Sequence, residues 1–129
     1  MDQLRKRSGQ LFSKARFVSA QFEAYFAEDR WLDLARHANK MGAALAHAVE
    51  NAPECRLAWR PDANEVFAIV PAEGVEALAK TGAEFSPWQP PRAQADLVGA
   101  NERMIRFVAS FATAPDDVKA LAEALKAIG

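Results

Sequence analysis

The feature that most constrains this chain is a change of period. From Val18 to Ala48 the apolar residues recur at steps of three and four, and beyond Asn51-Ala52-Pro53 they alternate. A 3.6-residue period lays a stripe along a helix, whereas a period of two gives a strand two distinct faces. No single element satisfies both patterns, so a helical opening must be combined with a sheet.

The helical part divides at Glu28-Asp29-Arg30. Before it, Leu11, Ala15, Val18, Phe22 and Tyr25 line one side of a long helix, with Phe12, Ser19 and Phe26 alongside. After it, Trp31, Leu34, Ala38, Met41, Leu45 and Ala48 repeat the spacing, which predicts two consecutive helices. Past Pro53, Leu57 and Trp59 predict a short strand, Arg60-Pro61-Asp62-Ala63-Asn64 a turn, and Val66 to Val70 a strand apolar on both faces. Pro71 is expected to stop that strand. Gly74 to Lys80 then reads as a short helix ended by Gly82. Phe85-Ser86-Pro87-Trp88 suits a sheet edge, because proline cannot donate to a ladder. A loop follows from Gln89 to Asn101.

The stretch Met104 to Thr113 sets one arginine in an otherwise apolar strand. Alternation puts Ile105, Phe107, Ala109 and Phe111 on the core face and Met104, Arg106, Val108 and Ser110 on the other. Arg106 has two readings there. Its planar fork can grip a carboxylate or phosphate at two points, or it can pair with a neighbouring acid and lie over the sheet with its head in water. A helix follows, with Thr113 as N-cap, Pro115 in the first turn and Asp116 and Asp117 at the positive end of the dipole. Val118, Leu121, Ala122, Leu125 and Ile128 repeat at helical spacing to Gly129.

The fold expected is α+β: two N-terminal helices, then three or four mostly antiparallel strands covered by helices. With 129 residues the expectation is a single domain over 1–129, helical over 1–50 and a small α+β domain over 51–129. A formal charge of -1 gives no global pull toward nucleic acid or an anionic membrane. The opening is locally basic, with Arg5, Lys6, Arg7, Lys14 and Arg16. Such runs are solvated faces or anion-binding ones. The lone Cys55 cannot form an internal disulfide, no apolar run approaches a membrane span, and the expected setting is cytoplasmic. His37 and His47 stand ten residues apart, not at the i, i+4 spacing of a zinc helix, and read as surface or boundary residues. There is no Gly-rich phosphate loop after a strand, no nucleophile elbow and no Cys–His signature.

Three stretches carry a family resemblance: RKRSGQLFSKARFVSAQFEAYF, RHANKMGAALAHAV and RFVASFATAPDDVKALAEAL. Together they resemble the C-terminal portion of the low-specificity L-threonine aldolases, of the β-eliminating lyase group of pyridoxal-phosphate enzymes. The resemblance implies the small C-terminal domain of the aspartate-aminotransferase-like fold, without the large domain that holds the Schiff-base lysine. By it, Arg106 matches the arginine that binds the substrate carboxylate, Lys6 a lysine near the active-site entrance, and Lys14 and Arg16 basic residues near the cofactor or a subunit contact. It implies a β-hydroxy-α-amino acid substrate cleaved to glycine and an aldehyde. It also implies a homo-oligomer or a complementing large domain as partner, and a chain that neither binds pyridoxal phosphate nor catalyses alone. A non-catalytic interaction module with Phe22, Tyr25 and Phe26 as its surface is the alternative, and a cofactor-free carboxylate-binding domain built on Arg106 is a third.

Overall fold

The computed structural model describes residues 2–9 and 12–128; Leu11 and Gly129, expected in the first helical stripe and at the end of the last helix, lie outside them. The chain forms two compact units, Met1–Asp33 and Leu34–Gly129.

In the first unit, α1 spans Asp2–Arg7 and α2 spans Ala15–Phe26. A 3₁₀ turn over Ala27–Asp29 leads into α3, Arg30–Glu50. The interruption expected at Glu28 is a backbone event. Glu28 and Asp29 take φ of 53° and 57°, in the left-handed region that breaks a right-handed helix. No residue of α2 is buried. Its aromatic side chains meet one another, Phe22 stacking on Phe26 at 6.1 Å and Phe26 meeting Trp31 edge-on at 6.0 Å.

The second unit holds an antiparallel sheet in the order β1-β2-β4-β3: Arg56–Leu57, Glu65–Pro71, Glu102–Val108 and Ser86–Trp88. Helix α4, Ala72–Lys80, follows β2, and α5, Pro115–Lys126, closes the unit. Pro71 is the last residue of β2, and Pro87 lies in the outermost strand, where a missing N–H costs no ladder bond. The main buried cluster lies on one face of the sheet, while Ile69 and Met104 are buried on the other. Val66, Ala68 and Val70 of β2 and Ile105 and Phe107 of β4 share the first of these faces by register. They pack in one buried cluster with Met41, Leu45 and Val49 of α3, Leu78 of α4 and Val118 and Leu125 of α5. Each fully buried side chain of this size contributes roughly 1.5–3 kcal/mol. The helix α3 approaches the turn before β2 so closely that a Cβ on Gly42 would lie 2.9 Å from the carbonyl oxygen of Ala63.

Trp59, expected in the first strand, lies beyond β1, and a 3₁₀ helix over Arg92–Leu97 forms inside the expected loop. Two further differences lie at the end of β4. The strand expected to run to Thr113 ends at Val108. Ala109 is buried, but the chain then turns: Ser110 N–H donates to Thr113 Oγ1 at 2.8 Å and Ala112 N–H to Ser110 Oγ at 3.1 Å. Phe111 is consequently 65% exposed and leaves the core face assigned to it. With its hydroxyl committed to that turn, Thr113 is not the N-cap of α5. Ala114 is, and its N–H donates to the Asp117 carboxylate at 2.9 Å. Local hydroxyl-to-backbone bonds competed with both the strand and the cap.

Candidate functional site: an arginine on the open face of the sheet

The sheet face opposite the helices is chemically mixed. Register places Glu65, Phe67 and Ile69 of β2 on it beside Val108, Arg106 and Met104 of β4, with Ser86 and Trp88 of β3 next to these. Arg106 is therefore a central-strand residue with Phe67 across on one side and Ser86 on the other. Its side chain keeps 26% of its surface exposed. Arg106 Nη1 donates to Glu65 Oε1 at 3.0 Å, and the guanidinium carbon lies 4.6 Å from the Trp88 ring centroid. Trp88 meets Phe67 edge-on at 5.5 Å, and Phe67 meets Trp59 at 4.7 Å. An aromatic row thus backs the cation, where stacking contributes on the order of 0.5–2 kcal/mol.

The fork is only partly used. Glu65 engages it through one oxygen, and Arg106 Nε is buried with no hydrogen-bond partner among the described residues. An unpaired buried donor is costly, so this edge of the guanidinium favours an acceptor. Arg106 also forms part of the wall of an open depression of about 580 Å³, with Ser86, Phe85, Glu84 and Ala83 around it. Two-point carboxylate binding is what such a residue can do, and pairing with an acid is what it does in this structure.

A second pair fixes the start of β4. Arg56 forms a two-point salt bridge with Glu102, one arm being Nη2 to Oε2 at 2.8 Å, and Nη2 also donates to the Leu97 carbonyl at 2.9 Å. Gly99 N–H donates to the same carboxylate at 2.8 Å. The Arg56 hydrogen bonds first, and the Gly99 N–H second, hold the Glu102 carboxyl down at about 2. This clamp ties the loop that precedes β4 to the opposite edge of the sheet.

Lys6, Lys14 and Arg16 belong to the first unit and are exposed, and the Arg16 guanidinium lies 5.1 Å over the Phe17 ring. The partners described above for Arg106 all come from the second unit. His37 Nε2 lies 2.8 Å from the Thr113 carbonyl oxygen, and His47 is exposed beside Asn51. No group of three metal-ligating side chains occurs among the described residues. Burial first, and the nearby Glu54 charge second, push the Cys55 thiol up, away from a reactive thiolate. Among the described residues no helix is long and apolar enough to cross a membrane.

Glu65 and Trp88 were not singled out from the sequence. Glu65 stands 41 residues before its partner, and only the antiparallel register of β2 on β4 brings the two together.

No family model matches the chain. The low specificity L-threonine aldolase of Pseudomonas aeruginosa is 38% identical over 80 residues, 62% of this chain and 23% of that protein. A low specificity L-threonine aldolase of a Pseudomonas species is 31% identical over 123 residues, 95% of this chain and 32% of that protein. Among solved structures, the threonine aldolase of Leishmania major matches with a TM-score of 0.69 at 25% identity, over 82% of this chain and 28% of that one. The chain spans no more than 32% of the length of these curated relatives. In sequence and in fold it is a partial threonine-aldolase-like chain, a mixed helix and sheet structure similar to one part of such an enzyme.

Proposed function

We propose that this chain supplies the substrate-carboxylate part of a pyridoxal-phosphate-dependent L-threonine aldolase, which cleaves a β-hydroxy-α-amino acid to glycine and an aldehyde. The observation that supports the reading is Arg106: a stiff central-strand arginine, backed by Trp88, with a buried donor that has no partner among the described residues. Fixing a carboxylate at two points limits rotation of the substrate and lets its scissile bond be aligned for cleavage. In this reading Lys6, Lys14 and Arg16 stand near the cofactor or a subunit contact, and the assembly is an oligomer in the cytoplasm.

The cofactor itself has no place among these residues. When bound, pyridoxal phosphate takes up the electrons of the broken bond, and it needs a lysine in an apolar pocket to hold it. Every described lysine, Lys6 and Lys14 included, is exposed. What this chain contributes is carboxylate binding and orientation, and catalysis requires a large domain that carries the lysine.

Complementation tests this. Mixed with a separately produced large domain, the chain is expected to restore threonine cleavage, and Arg106→Gln to abolish the restored activity. A stable complex without activity would instead favour a non-catalytic interaction module, a reading supported by α2, whose Phe22, Tyr25 and Phe26 are all exposed.

A further inference from the structure

We propose that Ser86 is the second donor of the carboxylate site, its hydroxyl holding one carboxylate oxygen while Arg106 holds the other. The inference rests on the reading of Arg106 as a carboxylate site and names the residue that completes two-point binding there.

In the sheet order, β4 lies between β2 and β3, so Arg106 has Phe67 across from it on one side and Ser86 on the other. Residues paired in this way carry their Cβ atoms roughly 4.5–5.5 Å apart on a common face. The guanidinium between them is committed unevenly. Nη1 donates to Glu65 at 3.0 Å, and Glu65 belongs to β2. Nε is buried, so the 26% of the side chain that stays exposed lies on other atoms, and a ligand meets the cation through its Nη groups. With Nε closed and Nη1 shared with an acid, the fork by itself no longer offers the two parallel open donors that a carboxylate takes. The second donor must come from a neighbour.

The depression of about 580 Å³ beside Arg106 opens on the β3 side, where Ala83, Glu84, Phe85 and Ser86 lead into that strand. Of the described side chains that wall it, Arg106 and Ser86 are the two that can donate a hydrogen bond, since an ionised Glu84 only accepts. Ser86 is half-buried on a strand. Its O–H turns about a single bond, so it can aim at an oxygen whose partner oxygen rests on the guanidinium. Glu65 from the β2 side, and Trp88 with its ring 4.6 Å from the guanidinium carbon, keep the cation from following the ligand. The contact uses the carboxylate alone and leaves the amino group of a substrate free for the cofactor.

Acetate, a carboxylate with no amino group, is the probe. It is titrated into the isotope-labelled chain while the Trp88 indole and the backbone amides of Phe67 and Arg106 are followed by NMR. Ser86→Val is expected to weaken acetate about tenfold, the lower end of what a hydrogen bond to a charged partner contributes. Ser86→Thr restores the hydroxyl in a side chain of the same shape and is expected to stay within about threefold of wild type. A difference between these two variants therefore reports the hydroxyl and not the packing. Arg106→Gln must lose acetate altogether. If Ser86→Val binds acetate as wild type does while Arg106→Gln loses it, the carboxylate reading stands and the role of Ser86 is overturned. A loss in Ser86→Thr equal to that in Ser86→Val overturns it as well. If acetate shifts none of these signals in the wild type, the carboxylate reading falls and Ser86 falls with it.

Discussion

Helices α2 and α5 are each 12 residues long and each carry an apolar stripe, yet α5 buries residues of its stripe and α2 buries none. Helix α5 has Asp116 and Asp117 in its first turn, Lys126 in its last, and a carboxylate accepting from the Ala114 N–H. It buries Val118 and Leu125 against the sheet. Helix α2 has no acid in its first turn, no base in its last and no side-chain cap, and it buries nothing. Phe22 is 56% exposed and Phe26 53%. Periodicity identifies a side of a helix that wants to leave water. It does not say what will cover that side, and the matching end charges are found on the helix that docks.

The contrast can be broken first at Leu125. Leu125→Ala removes a side chain with no exposed surface and should cost the second unit about 3 kcal/mol, read as a lowered denaturant midpoint at unchanged slope. An effect under about 1 kcal/mol would mean that α5 is no better docked than α2. Asp117→Ala comes next: loss of the bond to Ala114 N–H and of the charge at the helix start should cost about 1 kcal/mol.

A smaller effect sharpens the same contrast on the sheet, whose covered face is held by packing and whose open face is held partly by charge. The Glu102 carboxyl is lowered from its ordinary 4.5 to about 2, so its extra stability is present above the ordinary value and is lost as pH falls toward 2. Glu102→Gln should therefore be less stable than the parent at pH 7, with the gap closing between pH 4.5 and 2 in denaturation series. A gap that persists unchanged at pH 2 would assign the loss to packing instead. The smallest effect is expected at Phe22→Ala, within about 0.5 kcal/mol, because the side chain is already exposed. A loss comparable to that of Leu125→Ala would show that a partner covers α2 in solution.

The helix break at Glu28, the strand at Leu57 followed by a turn and β2, the edge position of Pro87 and the buried stripe of α5 were all legible, since each follows from local spacing or from the chemistry of one residue. The end of β4 was not. Phe111 continues the alternation of Ile105 and Phe107 perfectly, but Ser110 and Thr113 supply the bonds of a turn, and those bonds won. Of the site, Arg106 was visible as the one charge in the apolar stretch Met104 to Thr113, and pairing with an acid was one of its two readings. The acid could not be named, because nothing near Arg106 in sequence points to Glu65.

What the sequence determined by itself is therefore the inventory: helices where the period is 3.6, strands where it is two, and a cation on the strand face turned from the core. What only the tertiary structure decided is which of those surfaces meet. The register of β2 on β4 chose Glu65 as the counter-ion, and the crossing to β3 set Trp88 under the guanidinium. Both depend on pairings between residues far apart in the chain. Their geometry is fixed by the whole sheet and its helical cover, so it is not written in any one stretch.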